Sequence, residues 1–413
     1  MEELIQQHLG LSNVSIKNIE TNGKGEIEIT VESTLEGTEC HRCGRTITHS
    51  YDYDRELRLG HLPLFGQAVY IKVRLPRYQC DHCQKKPKTT QRPDWHKKNS
   101  SFTVPYEEHI LLCAINSTET DVSRKEGLTE AQVKGVVNRY IGQRVNWDEI
   151  ESLDVLGIDE ISLRKGHKSF IVVITAKVQK EQRLIALLSG REKKTVKAFL
   201  SSIPQRLKET VRWVCSDMYE GYINASKEVF SETVRVVIDR FHVAKLYRSK
   251  VDTLRKKELR RLKKCLSERE YKQLKGAMWA LRRSPANLST TERRVLDTLF
   301  RYSGELEDAY NYSTQLTTIF DESASRASGV RRLKSWINAV EASSLSCFSG
   351  FIKTLRHHFD DIANYFVCRL NSGFVEGFNN KIKVIKRRCY GILNLNHLFQ
   401  KIVLDIQGFA MLM

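Results

Sequence analysis

The chain has 413 residues, of which 41% are hydrophobic and 28% charged, a composition typical of a folded protein with several domains. Lys and Arg number 67 against 49 Asp and Glu, and the net charge of +18 favours a polyanionic partner, with nucleic acid ahead of a membrane surface. No apolar run can span a bilayer and no apolar leader begins the chain. We therefore expect a cytoplasmic protein whose ten cysteines form no disulfide framework.

Periodicity divides the chain into strand-rich and helical parts. Polar and apolar residues alternate in residues 1–38, which predicts β-strands. Helical spacing follows in residues 102–145. From Leu153 strand and helix patterns alternate to about residue 240, which indicates an α/β domain with a strand-rich start. Residues 241–365 have a mostly helical pattern, and residues 372–406 return to one.

Four cysteines stand in two pairs, Cys40-x-x-Cys43 and Cys80-x-x-Cys83, with 36 residues between the pairs. Two thiolates at this spacing can hold one side of a tetrahedral Zn²⁺ ion, and a second pair closes the other side. Apolar residues alternate between the pairs, which suits strands that join the two knuckles of a zinc ribbon. The spacing therefore predicts structural zinc.

Other interpretations of the cysteines stay open at this point. The pairs could be chance neighbours in a reduced core, or one pair could be a thioredoxin-like redox motif, although a βαβ context is missing. Nearby histidines could replace a thiolate, namely His41, His49, His61 and His82. The remaining cysteines lack a partner spacing and are expected to be small buried hydrophobes: Cys113, Cys215, Cys265, Cys347, Cys368 and Cys389.

Two or three short helices fit residues 105–140, where Thr129-x-x-Gln132 resembles a capping box ahead of the last helix. Lys134 and Arg139 would lie on the exposed side of that helix. A recognition helix needs such side chains to contact DNA in the major groove. A helix-turn-helix and a plain helical linker both satisfy this pattern.

Acidic residues follow two apolar strand patterns. Asp159 comes after residues 155–158, and Asp217 comes shortly after residues 211–215. If both strands end there, the two carboxylates meet at one edge of a sheet and offer Mg²⁺ the oxygen ligands that it prefers. Three neighbouring acids compete for this role, namely Glu160, Glu220 and Asp239. Strand alternation should turn Glu160 to the opposite face, whereas Asp239 is the more serious rival because it also ends a strand.

Positive charge is concentrated in residues 245–294, which hold 17 Lys or Arg against 5 Asp or Glu. A net charge of +12 on so short a segment favours contact with a polyanion. We expect DNA contacts from four of its residues, Lys256, Lys257, Arg260 and Arg261.

A last helical pattern covers residues 371–388, NSGFVEGFNNKIKVIKRR, and contains Glu376 near its start. Asn379 and Asn380 follow three and four residues later, so they share part of the face of Glu376. Four basic residues of this segment supply charge for binding phosphate: Lys383, Lys386, Arg387 and Arg388.

The order of these blocks is specific. Paired cysteines and a helical segment precede GIDE, SDMYEGY, DRFHV and NSGFVEGFNNKIKVIKRRCYG, and over nearly the whole chain this order resembles the ISL3 family of bacterial insertion-sequence transposases. The resemblance implies an RNase H-like α/β catalytic core with a DDE triad, carried onto Asp159, Asp217 and Glu376. Asp239-x-x-His242 resembles a signature that follows the second Asp in related transposases, with a supporting role.

Together with the motifs, the resemblance implies a multidomain α/β protein in five parts. These are N-terminal strands and a zinc ribbon at residues 1–98, a helix-turn-helix at 99–150, the first part of the catalytic core at 151–244, an all-helical basic insertion at 245–365, and the C-terminal helical part of the core with Glu376 at 366–413.

The implied mechanism uses two metal ions. Three carboxylates would hold two Mg²⁺ or Mn²⁺ ions about 4 Å apart, which activate water to free a 3′-OH at the element end and then activate that hydroxyl to attack target DNA. The implied partners are double-stranded DNA, as terminal repeats and target in the nucleoid, and a second copy of the chain in the synaptic complex. The alternatives are a non-catalytic zinc-containing DNA-binding regulator derived from a transposase, and an RNase H-like nuclease or Holliday-junction resolvase.

Overall fold

The protein is described by a computed structural model that covers residues 2–163, 170–179, 181–230, 234–369 and 373–412, without the side chains of Glu2, Cys368 and residues 373–376. The chain forms two compact units. The first contains residues 1–143 and 400–413, and the second contains residues 144–399. Among the described residues, no helix is both long enough and apolar enough to cross a membrane.

The first unit begins with a helix and nine strands. They are α1 (Glu2–His8), β1 (Val14–Thr21), β2 (Ile27–Ser33), β3 (Thr38–Glu39), β4 (Thr46–Ile47), β5 (Ser50–Tyr53), β6 (Leu57–Leu64), β7 (Gln67–Val73), β8 (Pro76–Gln79) and β9 (Lys88–Thr90). Four strands form a mixed sheet in the order β1-β2-β7-β6, in which β2 and β7 are parallel. Ile29 pairs with Ile71 and both are buried, as the apolar alternation predicts. Residues 2–8 form α1 rather than a strand.

Two smaller sheets lie beside the cysteine pairs. Strands β3 and β4 form an antiparallel pair, and β5, β8 and β9 form a three-stranded antiparallel sheet. Strand β3 ends one residue before Cys40, and β8 ends one residue before Cys80. Each cysteine pair therefore begins where a short strand stops.

Three helices follow: α2 (Val104–Ala114), α3 (Glu119–Glu126) and α4 (Glu130–Tyr140). They share a buried apolar core that includes Ile110, Val122 and Val133. The side chain of Thr129 accepts a hydrogen bond from the N–H of Gln132, whose side chain accepts one from the N–H of Thr129. The predicted capping box and the predicted short helices are therefore confirmed.

The structure corrects the expected position of Arg139. Its guanidinium is not free on the exposed side of α4, because Nε donates to Glu107 Oε1 at 2.6 Å and the Glu107 side chain is fully buried. Hydroxyl groups of Ser100 and Tyr140 also donate to this carboxylate, at 2.6 and 3.0 Å. A buried carboxylate requires such partners, since burial of an uncompensated charge costs several kcal/mol. Arg139 therefore stabilises the three-helix region.

The second unit is built on a five-stranded sheet with helices around it. Its first elements are β10 (Val155–Ser162), β11 (Phe170–Val178), β12 (Glu181–Ser189), α5 (Lys193–Ser202), α6 (Gln205–Lys208), β13 (Trp213–Ser216), α7 (Glu220–Val229) and β14 (Arg235–Ile238). The strand order is β12-β11-β10-β13-β14. Strands β10, β11 and β12 pair antiparallel, whereas β10, β13 and β14 are mutually parallel. Nearly every residue of β11 is buried, as expected for a strand covered on both faces.

The rest of the chain is helical. It comprises α8 (Arg240–Cys265), α9 (Glu268–Lys272), α10 (Ala277–Ala280), α11 (Thr290–Tyr302), α12 (Gly304–Glu322), α13 (Arg326–Ala342), α14 (Ser349–His357), α15 (Phe359–Ala363), α16 (Tyr365–Cys368), α17 (Gly373–Arg388) and α18 (Leu395–Leu412). Aromatic side chains such as Tyr247, Phe320 and Phe351 fill the core of this helical region. The helical pattern predicted for residues 241–365 is confirmed, although α8 begins at Arg240.

We expect Arg139→Ala to lower the free energy of unfolding by about 3–5 kcal/mol, because it leaves the buried Glu107 carboxylate without its cationic partner. Denaturant unfolding followed by circular dichroism measures the change. Lys134→Ala on the same helix is the matched control and should change the value by about 0.5 kcal/mol or less. Equal effects of the two substitutions would contradict a structural role for Arg139.

Candidate functional site

The register of three parallel strands places three aspartates at one level. Ile158 of β10 pairs with Ser216 of β13, and Ser216 pairs with Ile238 of β14. An aspartate directly follows each of these three residues, namely Asp159, Asp217 and Asp239. Because neighbouring strands lie about 4.8 Å apart, Asp159 and Asp217 are side by side, and Asp239 stands one strand further along.

Asp159 lies inside a strand, which corrects the expectation that the strand ends before it. Strand β10 continues to Ser162 because its pairing with β11 extends to Phe170. The Asp159 carboxylate accepts hydrogen bonds from the Glu160 N–H at 2.7 Å and from Asn379 Nδ2 at 2.6 Å. Its orientation is therefore fixed from two directions.

Asp217 directly follows β13, and its position after the strand confirms that part of the prediction. The Tyr219 N–H donates to Asp217 Oδ1 at 2.9 Å. Partial burial raises the pKa of the Asp217 carboxyl, and the nearby carboxylates of Asp159 and Glu160 raise it further. Two carboxylates held this close repel each other, and a divalent cation between them removes the repulsion.

Helix α17 packs against β10 through Asn379. The Asn379 side chain is buried, and within the described structure its Oδ1 atom has no hydrogen-bond partner. The hydroxyl of Tyr222 on α7 is likewise buried without a described partner. A buried amide oxygen beside Asp159 adds to the set of oxygen atoms that suits a hard divalent cation. Glu376 belongs to α17, but its side chain lies outside the described residues.

The competing acids have other partners. The Glu160 carboxylate lies 3.7 Å from Arg191. It also lies close enough to Asp217 to raise the pKa of that carboxyl, so strand alternation alone does not separate Glu160 from the aspartates. Glu220 contacts Nε2 of His357 at 2.7 Å, and this contact lowers the pKa of the Glu220 carboxyl. Glu220 is therefore directed to His357 rather than to the aspartates.

Asp239 caps α8 and is almost fully buried. Its side chain accepts a hydrogen bond from the Phe241 N–H at 2.9 Å, and its own N–H donates to the Ser216 carbonyl at 2.9 Å. His242 Nε2 lies 3.7 Å from Asp239 Oδ2, which is an ion-pair distance. These contacts hold Asp239 at the start of α8, and the supporting role of the Asp239–His242 pair stays a prediction.

The basic residues at the end of α17 differ in what they contact. Lys386 Nζ donates to the carbonyl oxygens of Ser162 and Leu163, and burial lowers the pKa of its ammonium group. This corrects the expectation of a free phosphate ligand, since Lys386 fastens α17 to the end of β10. Lys383 and Arg387 are exposed. Arg388 is partly buried.

The basic residues expected to contact DNA on α8 lie at the surface. Lys256, Lys257, Arg260 and Arg261 are all exposed. Lys256 pairs with Asp252, and Arg261 pairs with the buried Glu258 at 2.7 Å. The segment therefore presents a basic face to solvent while its few acids hold some of the cations in place.

The four paired cysteines form one cluster, with one sulfur from each residue within 4.8 Å of the others. Cys43 Sγ lies 3.8 Å from Cys80 Sγ. The N–H groups of Arg42 and Cys43 point at Cys40 Sγ and lower the pKa of that thiol to about 6, which favours the thiolate that binds zinc.

The neighbouring histidines have other partners. Nδ1 of His41 lies 2.9 Å from the Thr89 hydroxyl, Nδ1 of His49 lies 3.2 Å from the Asp81 carboxylate, and Nδ1 of the buried His61 lies 2.8 Å from the Thr103 hydroxyl. His82 is exposed. The described metal-ligand cluster at this site consists of the four sulfurs, so the prediction that these cysteines form one ligand set agrees with the structure.

Two family models match the chain. One, described as a transposase and named for ISL3, covers residues 156–402. The other, described as the zinc-finger of transposase IS204/IS1001/IS1096/IS1165, covers residues 36–83. The first spans more than half of the chain. The chain belongs to the ISL3 family of transposases.

The chain is similar to the transposases of two insertion sequences along almost their whole length. The transposase for insertion sequence element IS1001 of Bordetella parapertussis is 25% identical over 386 residues, which is 93% of this chain and 92% of that protein. The transposase for insertion sequence element IS1557 of Mycobacterium tuberculosis is 22% identical over 391 residues, covering 89% of this chain and 86% of that protein. The predicted resemblance to the ISL3 family is therefore confirmed.

The matched segments coincide with the two sites in this ISL3 member. All four clustered cysteines fall within residues 36–83, so the sequence match and the sulfur geometry both support structural Zn²⁺. Asp159, Asp217 and Asn379 fall within residues 156–402.

Sequence reasoning missed the contacts that Asn379 and Lys386 make with β10. The sequence predicts a helix that contains both residues, but their partners lie far earlier in the chain, 220 positions for Asn379 and 223 or 224 for Lys386. The available signal was their spacing, because residues seven apart lie on one face of a helix.

We expect Cys40→Ser and Cys80→Ser each to lower the zinc content by one ion per chain, because each removes a thiolate from a closed four-sulfur site. Elemental analysis of the purified protein measures the content. His49→Asn is the control and should retain the zinc. Undiminished zinc in a variant lacking all four cysteines would contradict the assignment.

Proposed function

We propose that this ISL3 transposase binds the ends of an insertion sequence and catalyses metal-dependent cleavage and transfer of DNA strands with Asp159, Asp217 and Glu376. The observation that carries the proposal is the register that sets Asp159 beside Asp217, with α17 bound to Asp159 through Asn379. The helix that contains Glu376 is thereby attached to the strand that contains the first aspartate.

The sheet supports an RNase H-like assignment for the catalytic core. Numbered along the chain, its strands lie in the order 3-2-1-4-5, with the first three antiparallel and the first, fourth and fifth parallel. This is the strand arrangement of RNase H-like folds. We accordingly propose residues 151–244 as the first part of the core, 245–365 as a helical insertion and 366–413 as its C-terminal part. The boundary after residue 244 lies inside α8.

The residues present fit Mg²⁺ or Mn²⁺. Asp159 and Asp217 would hold the cations together with Glu376, and the orphaned Oδ1 of Asn379 is a further oxygen beside them. When bound, such cations supply Lewis acidity and lower the pKa of the attacking hydroxyl. The chain itself contributes pre-orientation, since the N–H groups of Glu160 and Tyr219 each fix one oxygen of an aspartate.

The proposed chemistry consists of two displacements at phosphorus. In the first, the oxygen of water forms a bond to phosphorus at the element end, and the bond from phosphorus to the 3′ oxygen breaks to leave a 3′-OH. In the second, that hydroxyl attacks a phosphate of target DNA, and the 3′ oxygen of the target leaves. Neither displacement forms a covalent bond between protein and DNA.

DNA binding is assigned to several parts of the chain. The zinc ribbon and the family imply contact with DNA, and we propose that α2, α3 and α4 act as a helix-turn-helix in which Lys134 faces the duplex. Exposed Lys257 and Arg260 on α8 and exposed Lys383 on α17 supply charge for the phosphate backbone. Pairing of two element ends requires two active sites, and we propose a homodimer in the synaptic complex.

We expect Asp159→Asn, Asp217→Asn and Glu376→Gln each to reduce cleavage by about 10²–10³-fold or more, because each removes a carboxylate that would hold the cations on which the displacement depends. A nicking assay on DNA with the element's own ends, in Mg²⁺ or Mn²⁺, measures cleavage. A gel-shift assay on the same DNA should show unchanged binding.

Glu220→Gln is the matched control, because this neighbouring carboxylate contacts His357 instead of the aspartates. It should cleave at close to the wild-type rate. Near-normal cleavage by any triad variant would remove that residue from the triad. Tight binding to the ends without cleavage by the wild-type protein in either metal would support the non-catalytic regulator, and preference for branched DNA over the ends would support a resolvase.

A further inference from the structure

A second group of metal-ligand side chains lies in the three-helix region, separate from the four clustered cysteines. His109 and Cys113 belong to α2, and Glu126 is the last residue of α3. One ligand atom of each residue lies within 4.8 Å of those of the other two. Neither family match includes these residues, since the zinc-finger match ends at residue 83 and the transposase match begins at residue 156.

The three separations have the lengths that one metal ion would impose. His109 Nε2 lies 3.2 Å from Glu126 Oε1, and Cys113 Sγ lies 3.5 Å from His109 Nε2 and 3.6 Å from Glu126 Oε1. Tetrahedral Zn²⁺ with bonds of about 2.0 Å to nitrogen and oxygen and about 2.3 Å to sulfur separates nitrogen from oxygen by about 3.3 Å, and sulfur from either by about 3.5 Å. The three atoms therefore fit one face of a zinc tetrahedron.

Hydrogen bonds alone account for only part of this triangle. The Cys113 thiol has one proton to donate, and His109 Nε2 has at most one. The ionised carboxylate of Glu126 has none, so it can only accept hydrogen bonds. Two protons satisfy two of the three short contacts. A cation at the centre accounts for all three, because each atom then directs a lone pair at it.

The local structure holds the three ligands in place. His109 and Cys113 are four residues apart, so they lie on the same face of α2 one turn from each other. Gly127 has φ of 65°, which ends α3 directly after Glu126. The Tyr106 hydroxyl lies 3.4 Å from Glu126 Oε2, and its ring stacks on that of His109 with centroids 5.9 Å apart. Such outer contacts orient the ligands of metal sites.

We propose that His109, Cys113 and Glu126 bind a Zn²⁺ ion that joins α2 to α3. Three protein ligands of these types leave the fourth position to water, and the His109 side chain is 35% exposed, so solvent reaches the site. The ion fastens together two helices of the proposed DNA-binding region. The site does not depend on the strand-transfer chemistry assigned to the aspartates.

The test is the zinc content of the full-length protein, measured by elemental analysis in a buffer with excess Mg²⁺ to occupy the aspartate site. We expect two zinc ions per chain in the wild-type protein and one in Cys113→Ser and in Glu126→Gln. Cys265→Ser changes an exposed cysteine outside both clusters and should retain two. One zinc per wild-type chain, or two in both ligand variants, would overturn the proposal.

Cobalt substitution separates the two sites. Co²⁺ bound to one thiolate absorbs more weakly in the sulfur-to-metal charge-transfer region than Co²⁺ bound to four. We expect Cys113→Ser to lose the weaker contribution and to keep the strong ribbon spectrum, whereas an unchanged spectrum in this variant would count against the site. The wild-type zinc count does not depend on any variant folding, so a count of one overturns the proposal by itself.

Discussion

Parallel hydrogen bonding between β10, β13 and β14 is the constraint on which the acidic edge of the second unit depends. Backbone hydrogen bonds continue this pairing at both ends of β13. Before the strand the Arg212 N–H donates to the Asp154 carbonyl, and after it the Asp239 N–H donates to the Ser216 carbonyl. A slip of one residue in this register would move Asp217 away from the level of Asp159 and turn its side chain to the other face. The proximity of the two carboxylates is thus a property of the backbone pairing.

Helix α17 is attached to this edge at two points. Asn379 binds the side chain of Asp159. Lys386, two turns later on the same face, binds the carbonyl group of the last residue of β10 and that of the residue after it. Two contacts along one strand fix the direction of the helix as well as its distance from the sheet. Glu376 occupies a position one turn before Asn379, so the placement of its backbone follows from the same two contacts.

Local signals were enough to predict several features of the fold and the sites. The cysteine spacing identified the four-sulfur cluster, Thr129 and Gln132 identified the start of α4, and apolar runs identified the strands. In each case the determining residues are close in sequence, or they repeat a short pattern whose chemistry has few alternatives.

Features that depend on distant partners could not be predicted in the same way. Arg139 looked like an exposed DNA ligand because its partner, the buried Glu107, lies 32 residues earlier. The end of β10 was placed too early because polar residues interrupt the apolar run, whereas pairing with β11 carries the strand on to Ser162. The anchoring role of Lys386 was hidden for the same reason, since a lysine in a basic run gives no sign that backbone carbonyls 223 and 224 residues away will bind it.

Helix α8 connects the acidic edge to the basic segment without a break. It is capped by Asp239 and continues for 26 residues to Cys265. At a rise of about 1.5 Å per residue, Lys256 lies about 26 Å along the helix from Asp239. This is the length of about eight base pairs of B-form DNA, at about 3.4 Å per base pair. A duplex that touches both the acidic edge and this basic side chain must extend over that distance. The length of α8 therefore sets the minimum length of DNA that can contact both.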